Sequence, residues 1–494
     1  MIRTNRRTPS PGRFLRASVA ALAFAALASC ETNPAGRSAF TGFMSSSEEL
    51  RIGQQQHPLI TAEFGGEHED QKIRGYADAL GQKLAAASER PDLKWTFTVL
   101  NSDIVNAFAL PGGFIYVTSG LLALANSEAE LAGVIGHEIG HVTARHTAER
   151  YSQTVGAQVL LGVLGAATGG LSQGIADYGA MAFLASYSRD QESEADTLGI
   201  RYIAKRGYDP MGVSSFMNSL EMNSQLEDKL SGRSGSDRYS LLATHPRAAK
   251  RVIDSAAEAR RQMPAGPVEI GATSYLHRID GLYYGGDRDN GFVRNREFVH
   301  PKLRFRFEVP PNFRLFNSPT QVSAIGPDKA RILFDMTTKD TAGSTQNYLT
   351  RVWARGLNLR EVETLTVNGL EAASASARAS VQGGGAVELL LVAIRLDKRI
   401  VYRFLFVASS AQAQSLREGF RQTAQGFKIM TEAEATKQVP YRIRLHQVRA
   451  GETAEKIAVA MPFDDYKVER FMTLNGLRAG EQPKTGALVK IVDD

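Results

Sequence analysis

Residues 136–142 read Gly-His-Glu-Ile-Gly-His-Val. His137 and His141 are four apart, so on a helix both imidazoles share a face and can reach one ion. Neutral imidazole nitrogens suit zinc. Glu138 follows the first of them and can face a vacant coordination position, where it is the candidate base for a metal-activated water. A catalytic zinc needs a third protein ligand and an open position. His146 is one candidate, but it falls five residues after His141. The pattern H-E-x-x-H-x-x-G-x-x-H would need Gly at 144 and His at 147, where this chain has Ala144 and Thr147. An acid on a later helix is the other option. Residues 188–196 read Ser-Arg-Asp-Gln-Glu-Ser-Glu-Ala-Asp. Glu192 and Asp196 share a face, so one could bind the ion while the other accepts a proton from the far nitrogen of a ligating His. Glu194 points elsewhere on that helix; spacing alone favours Glu192 over it.

The elements that must position these groups are legible in part. Ser127 and Glu130 read as an S-x-x-E helix start, followed at helical spacing by Leu131, Val134, Ile135, Ile139 and Val142. Helical regions are expected at 46–63 and 70–88, and further on at about 190–206, 211–229 and 247–262. Trp95, Phe97 and Val99 alternate with polar residues as a half-buried strand. Asn106 to Leu110 is a second extended run, turning at Pro111-Gly112-Gly113 into a strand over Phe114 to Thr118. Residues 155–171 are apolar and rich in Gly and Ala, reading as a buried helix pair or lid rather than a span. Past Pro264, alternation at 303–309, 332–336 and 400–406 predicts a mostly antiparallel sheet, covered by helices around 344–356 and 412–424.

The metal pattern now has company. His137-Glu138-Ile-Gly-His141-Val, then Ser188-Arg189 and Glu192-x-x-x-Asp196, resembles metallopeptidase family forty-eight, the HtpX, BepA, LoiP and CAAX prenyl endopeptidase-like group. The likeness covers roughly 46–262. It implies a mainly helical gluzincin-type core with a small edge-strand sheet, one zinc ion per chain, and Glu192 as third ligand. Asp196 and Arg189 are then expected beside the ligands. Asn106-Ala107-Phe108 is similar to the family's substrate-binding edge strand, which pairs with an extended peptide. Thr244-His245-Pro246, with Arg251 six residues after the His, also matches. The resemblance implies that His245 lies near the metal, assisting the oxyanion or capping the zinc.

Both ends carry further signals. The formal net charge is +6, but five arginines and no acid lie in residues 1–29. The remainder is close to neutral, which excludes a phosphate-binding footprint and hence nucleic acid. Basic residues to Arg16, an apolar stretch over 17–28 and Leu27-Ala28-Ser29-Cys30 resemble a lipoprotein signal. Cys30 is the only cysteine, so it has no internal disulfide partner. The expected site is the periplasm, lipid-anchored through Cys30 and with Glu31 next to it, at the outer membrane. The end of the chain, Val448-Arg-Ala-Gly451-Glu452-Thr453, then Leu474-Asn475-Gly476-Leu477 and Leu488-Val489-Lys490-Ile491, looks like a LysM domain. That is a small βααβ module binding N-acetylglucosamine glycans such as peptidoglycan. Ala454 departs from the larger apolar residue usual there.

The sequence thus predicts an α+β protein. It comprises a signal peptide (1–29), a tether (30–45), a zinc metallopeptidase domain (46–264), an antiparallel α+β domain (265–432) and the LysM-like unit (436–494). The expected function is cleavage of misfolded or misassembled envelope polypeptides. A latent protease acting as chaperone or assembly scaffold, and a peptidoglycan peptide hydrolase, are the alternatives.

Overall fold

The structure is a computed structural model, described here for residues 30–154, 186–231, 241, 245, 249–338, 343–380 and 385–494. The signal segment and the apolar 155–171 run lie outside the described residues. Among the described residues no helix is long and apolar enough to cross a membrane.

Residues 30–40 are not a loose tether. Strands β1 (Cys30–Thr32) and β2 (Ser38–Phe40) pair as an antiparallel hairpin. Asn33, Ala39, Thr41 and Met44 behind it are buried. Helix α1 (Ser46–Glu63) follows, capped by the Ser45 hydroxyl on Glu48 N. Asp70 caps α2 (Gln71–Ala85), whose Ile73, Ala77, Leu80 and Leu84 form the buried stripe that helical spacing predicts.

A three-stranded sheet comes next. β3 (Thr96–Leu100) runs parallel to β5 (Phe114–Thr118), and β4 (Ala107–Leu110) runs antiparallel to β5, in the order β3-β5-β4. The turn between β4 and β5 needs glycine. Gly112 has φ 84°, and a Cβ there would sit 2.7 Å from the Leu50 Cα. After α3 (Ser119–Leu124) comes α4 (Glu128–Thr143), the helix of the histidine motif. Ser127 Oγ caps Glu130 N, but the Glu130 carboxylate accepts from Asn126 N at 2.8 Å rather than from Ser127 N. A helical stretch over 146–154 follows. α5 (Arg189–Lys205) starts with a full reciprocal capping box between Ser188 and Gln191. α6 (Gly212–Ser231) and α7 (Ala249–Arg261) complete the layer behind α4.

Packing redraws two boundaries. α8 (Ala272–Ile279), expected to open the second domain, buries Tyr275, Leu276 and Ile279 in the core of the first. The Ile270 carbonyl also accepts from Ala129 N at the start of α4. That satisfies one of the donors a helix N-terminus leaves unpaired. Residues 441–493 run strand, two helices, strand. Ile443, Ile457, Phe471 and Val492 of this unit belong to the same continuous core as α4 and α5.

The second core is separate. It lies under a seven-stranded antiparallel sheet of β6 (Arg314–Asn317), β7 (Val322–Ile325), β8 (Arg331–Thr337), β9 (Leu359–Val367), β10 (Leu370–Ser380), β11 (Ala386–Arg395) and β12 (Val401–Ser409). The strand order is β6-β7-β8-β12-β11-β10-β9. Phe305, Phe307, Phe334, Phe404 and Phe427 fill it, under Phe420 and Ala424 of the helix Ala413–Gln425. On the opposite face a short helix, Thr345–Asn347, passes into a π-turn, Tyr348–Trp353.

Candidate metal centre

Two helices bring the ligand candidates together because glycine lets their backbones touch. A Cβ on Gly199 of α5 would lie 2.7 Å from His137 N, and one on Gly140 of α4 would lie 3.0 Å from the Ala195 carbonyl. This close crossing sets Glu192 against His137 and His141.

The result is a compact polar cluster in the core. One ligand atom from each of His137, His141, Glu192 and His245 lies within 4.8 Å of all the others. His141 Nε2 is 3.0 Å from His137 Nε2 and 3.4 Å from Glu192 Oε1. His245 Nδ1 is 3.2 Å from His137 Nε2 and 2.9 Å from Glu192 Oε1. Four atoms each about 2.0–2.1 Å from a tetrahedral zinc would stand roughly 3.3 Å apart, so the spacing suits such an ion. The donor chemistry agrees. His137 Nδ1 stands 2.9 Å from Asp196 Oδ1. With its proton given to that carboxylate, the His137 Nε2 lone pair faces inward.

Asp196 is fixed in turn. Arg251 on α7 donates to it through Nε at 2.6 Å and Nη2 at 2.8 Å, and the Ser255 hydroxyl adds a bond at 3.1 Å. Arg251 Nη1 also stands 2.5 Å from Glu192 Oε2. Arg189, expected beside the ligands, is instead exposed on the first turn of α5. The first position of that helix points to solvent, and Arg251 occupies the place beside Asp196.

Glu138 is wholly buried beside the cluster, and among the described residues neither of its carboxylate oxygens has a hydrogen-bond partner. His245 Nε2 is 3.5 Å from Glu138 Oε1. Burial pushes the Glu138 carboxyl above its ordinary range. At Glu192 burial pulls the same way, but His245, His141 and His137 overcome it and hold the carboxyl well below. Burial keeps His141 neutral, as a metal ligand must be. The Tyr187 ring stacks on His141 with centroids 3.7 Å apart, fixing the plane of the imidazole.

His146 is buried and stands 2.8 Å from His141, Nδ1 to Nδ1, on the side away from the cluster. Its Nε2 meets Glu194 Oε2 at 2.9 Å. Spacing on α5 turns Glu194 away from the ligands, and the structure shows where it goes. Asn106, Ala107 and Phe108 lie at and just before the start of β4, the edge strand. The Phe108 side chain packs inward against Phe64 and Tyr116, so only its backbone lies along the edge.

Residues 72–259 match the model described as Peptidase family M48, a span that contains the whole centre. Over 272 residues the chain is 33% identical to a putative beta-barrel assembly-enhancing protease of Vibrio cholerae, covering 52% of each protein. It is 34% identical over 206 residues to the mitochondrial metalloendopeptidase OMA1 of Arabidopsis thaliana, covering 40% of each. It is 29% identical over 235 residues to the beta-barrel assembly-enhancing protease of Escherichia coli K12, covering 44% of this chain and 45% of that one. The chain spans about half the length of the curated relatives it matches.

Proposed function

We propose that this chain, with its Peptidase family M48 segment, is a zinc-dependent endopeptidase of the bacterial cell envelope that cleaves misfolded or misassembled envelope proteins. The observation that carries the reading is the buried Glu138 carboxylate, without a hydrogen-bond partner among the described residues, beside three converging ligands. A bare acid in such a place is costly unless an ion and a water complete it. The names of the bacterial relatives support the envelope setting.

His137, His141 and Glu192 would hold the zinc. When bound, it supplies Lewis acidity that polarises the scissile carbonyl and lowers the pKa of the attacking water. The remaining steps fall to the chain. Glu138 takes the proton from the water and passes it to the leaving amine. Asp196, held by Arg251, keeps the His137 tautomer. The edge of β4 would pair with substrate backbone in the antiparallel sense. A cavity of about 50 Å³ lined by Val134, Val213, Phe216, Leu220 and Leu241 adjoins His137 and Glu138 and suits an apolar side chain beside the scissile bond.

His245 supports a second reading. Its Nδ1 lies 3.2 Å from His137 Nε2 and 2.9 Å from Glu192 Oε1, so it would compete with an attacking water for a bound ion, which favours a latent enzyme with a chaperone or scaffold role until His245 moves. Lipidation at Cys30, an outer-membrane position, and glycan binding by 436–494 rest on the sequence signals given above.

The test is zinc content together with casein cleavage for wild type and Glu138→Gln. The variant keeps zinc and loses cleavage by at least about 100-fold, the usual contribution of a positioned base. Undiminished cleavage overturns the mechanism.

A further inference from the structure

Asp196 fixes one ligating imidazole; a longer chain of residues reaches the other. It begins in the N-terminal hairpin. The Asn33 Oδ1 atom accepts from Ala35 N at 3.0 Å and Arg37 N at 2.9 Å, which shapes the turn and presents Arg37. The guanidinium grips Glu149 with two bonds of 2.6 Å and reaches Glu194 through Nε. Asn33 Nδ2 donates to the same Glu194 at 2.5 Å. Glu149 lies on the 146–154 helix and also accepts from Gln191 Nε2 at 2.8 Å. Glu194 lies on α5. The hairpin therefore ties together the two elements that carry His146 and Glu192.

The hydrogen-bond logic then runs in one direction. An ionised carboxylate only accepts, so Glu194 takes the Nε2 proton of His146. His146 Nδ1 is left as an acceptor and takes the Nδ1 proton of His141. That leaves the His141 Nε2 lone pair facing the cluster. Reversing any link would put a proton where a metal ligand needs a lone pair.

We infer that Arg37, Glu194 and His146 are positioning residues for the metal ligand His141, so that the N-terminal hairpin is part of the zinc site. The inference rests on the zinc reading above and extends it to an N-terminal residue, Arg37, more than 100 positions from His141 in sequence.

Zinc affinity, measured on the whole chain by chelator competition, tests this separately from activity. Loss of a partner behind a ligating His weakens metal binding by about 10–100-fold. Glu194→Gln should fall in that range, and Arg37→Met near its lower end. Arg37→Lys should recover part of the loss, because it keeps the charge but not the fork. The double variant Arg37→Met/Glu194→Gln should lose less than the product of the two single losses, since the link from Arg37 to His146 runs through the Glu194 carboxylate that Glu194→Gln already removes. A merely structural strap would instead lower the melting temperature of the zinc-free protein and leave zinc affinity within twofold of wild type. That result overturns the inference, as does strict additivity in the double variant. Should Arg37→Met not fold, Arg37→Lys and Glu194→Gln carry the same comparison. Absence of zinc from wild type refutes the zinc reading itself; zinc held equally by wild type and Glu194→Gln refutes only the relay.

Discussion

Replacing Gly199 by Ala pits two effects of opposite sign against each other. In a helix interior Ala is favoured over Gly by about 1 kcal/mol. At Gly199, however, the new methyl meets only backbone: His137 N at 2.7 Å, the Gly136 carbonyl carbon at 2.9 Å and the His137 Cα at 3.0 Å. No rotamer change can clear those atoms. The closest approach is about 0.7 Å short of ordinary contact, so α5 must move away from α4 by that order. Overpacking of this kind costs about 1–3 kcal/mol, leaving a net loss of roughly 1 kcal/mol. Gly75 of α2 is the control, because its added methyl would meet nothing within 4 Å. Gly75→Ala should gain about 1 kcal/mol by the same propensity term. At about 2–4 °C per kcal/mol, calorimetry should show the transition of the first core rising for Gly75→Ala and falling for Gly199→Ala. Glu192 rides on α5, and metal ligands tolerate about 0.2 Å of displacement. Zinc affinity should therefore drop roughly tenfold in Gly199→Ala alone. Equal stabilisation by both substitutions, with zinc affinity unchanged, would falsify the argument that the glycine crossing sets the metal site.

Two further outcomes probe other parts of the molecule. Burial between Phe298 and Phe305 lowers His300 to about 4, and its Nδ1 accepts from Leu303 N at 3.3 Å, which requires the neutral ring. The unfolded chain then binds the extra proton between about pH 6.5 and 4, so the second core should lose about 3 kcal/mol on acidification through that window. His300→Phe should flatten the loss in urea titrations at the two pH values; an unchanged slope contradicts it. Lys490 is fully buried, and its ammonium donates to the carbonyls of Ala123, Leu124 and Ala125 at 2.7, 3.0 and 2.7 Å, the end of α3. Lys490→Met strands those acceptors and should cost the first core about 3 kcal/mol. Denaturation that lowers the second core instead, or neither, disproves that role.

What the sequence could reveal follows the range of the interaction. His137, Glu138 and His141 are readable because one helical turn brings them together, and Ser127 marks the start of that helix. The S-x-x-E spacing pairs Glu130 with Ser127 N; the carboxylate instead accepts from Asn126 N one residue earlier, a difference that a spacing rule cannot resolve. Arg189 and Arg251 are both arginines near the motif. Choosing between them requires knowing that α7 crosses α5, which no local pattern records. Arg37 and Glu194 are 157 residues apart, a separation at which no local pattern in residues 30–45 records their pairing. Tyr275, Leu276 and Ile279 show that α8 has an apolar face, yet not which of two cores receives it. The glycines that let α4 and α5 touch have no side chain to signal their purpose.

A recognition module on a flexible leash samples a volume set by the length of its linker. The C-terminal unit has no such freedom, because its Lys490 is rooted in the end of α3 and its apolar residues share a core with α4. Whatever surface holds that unit also sets the compass bearing of the cleft. Any chain entering the cleft would then do so along one heading relative to the C-terminal unit.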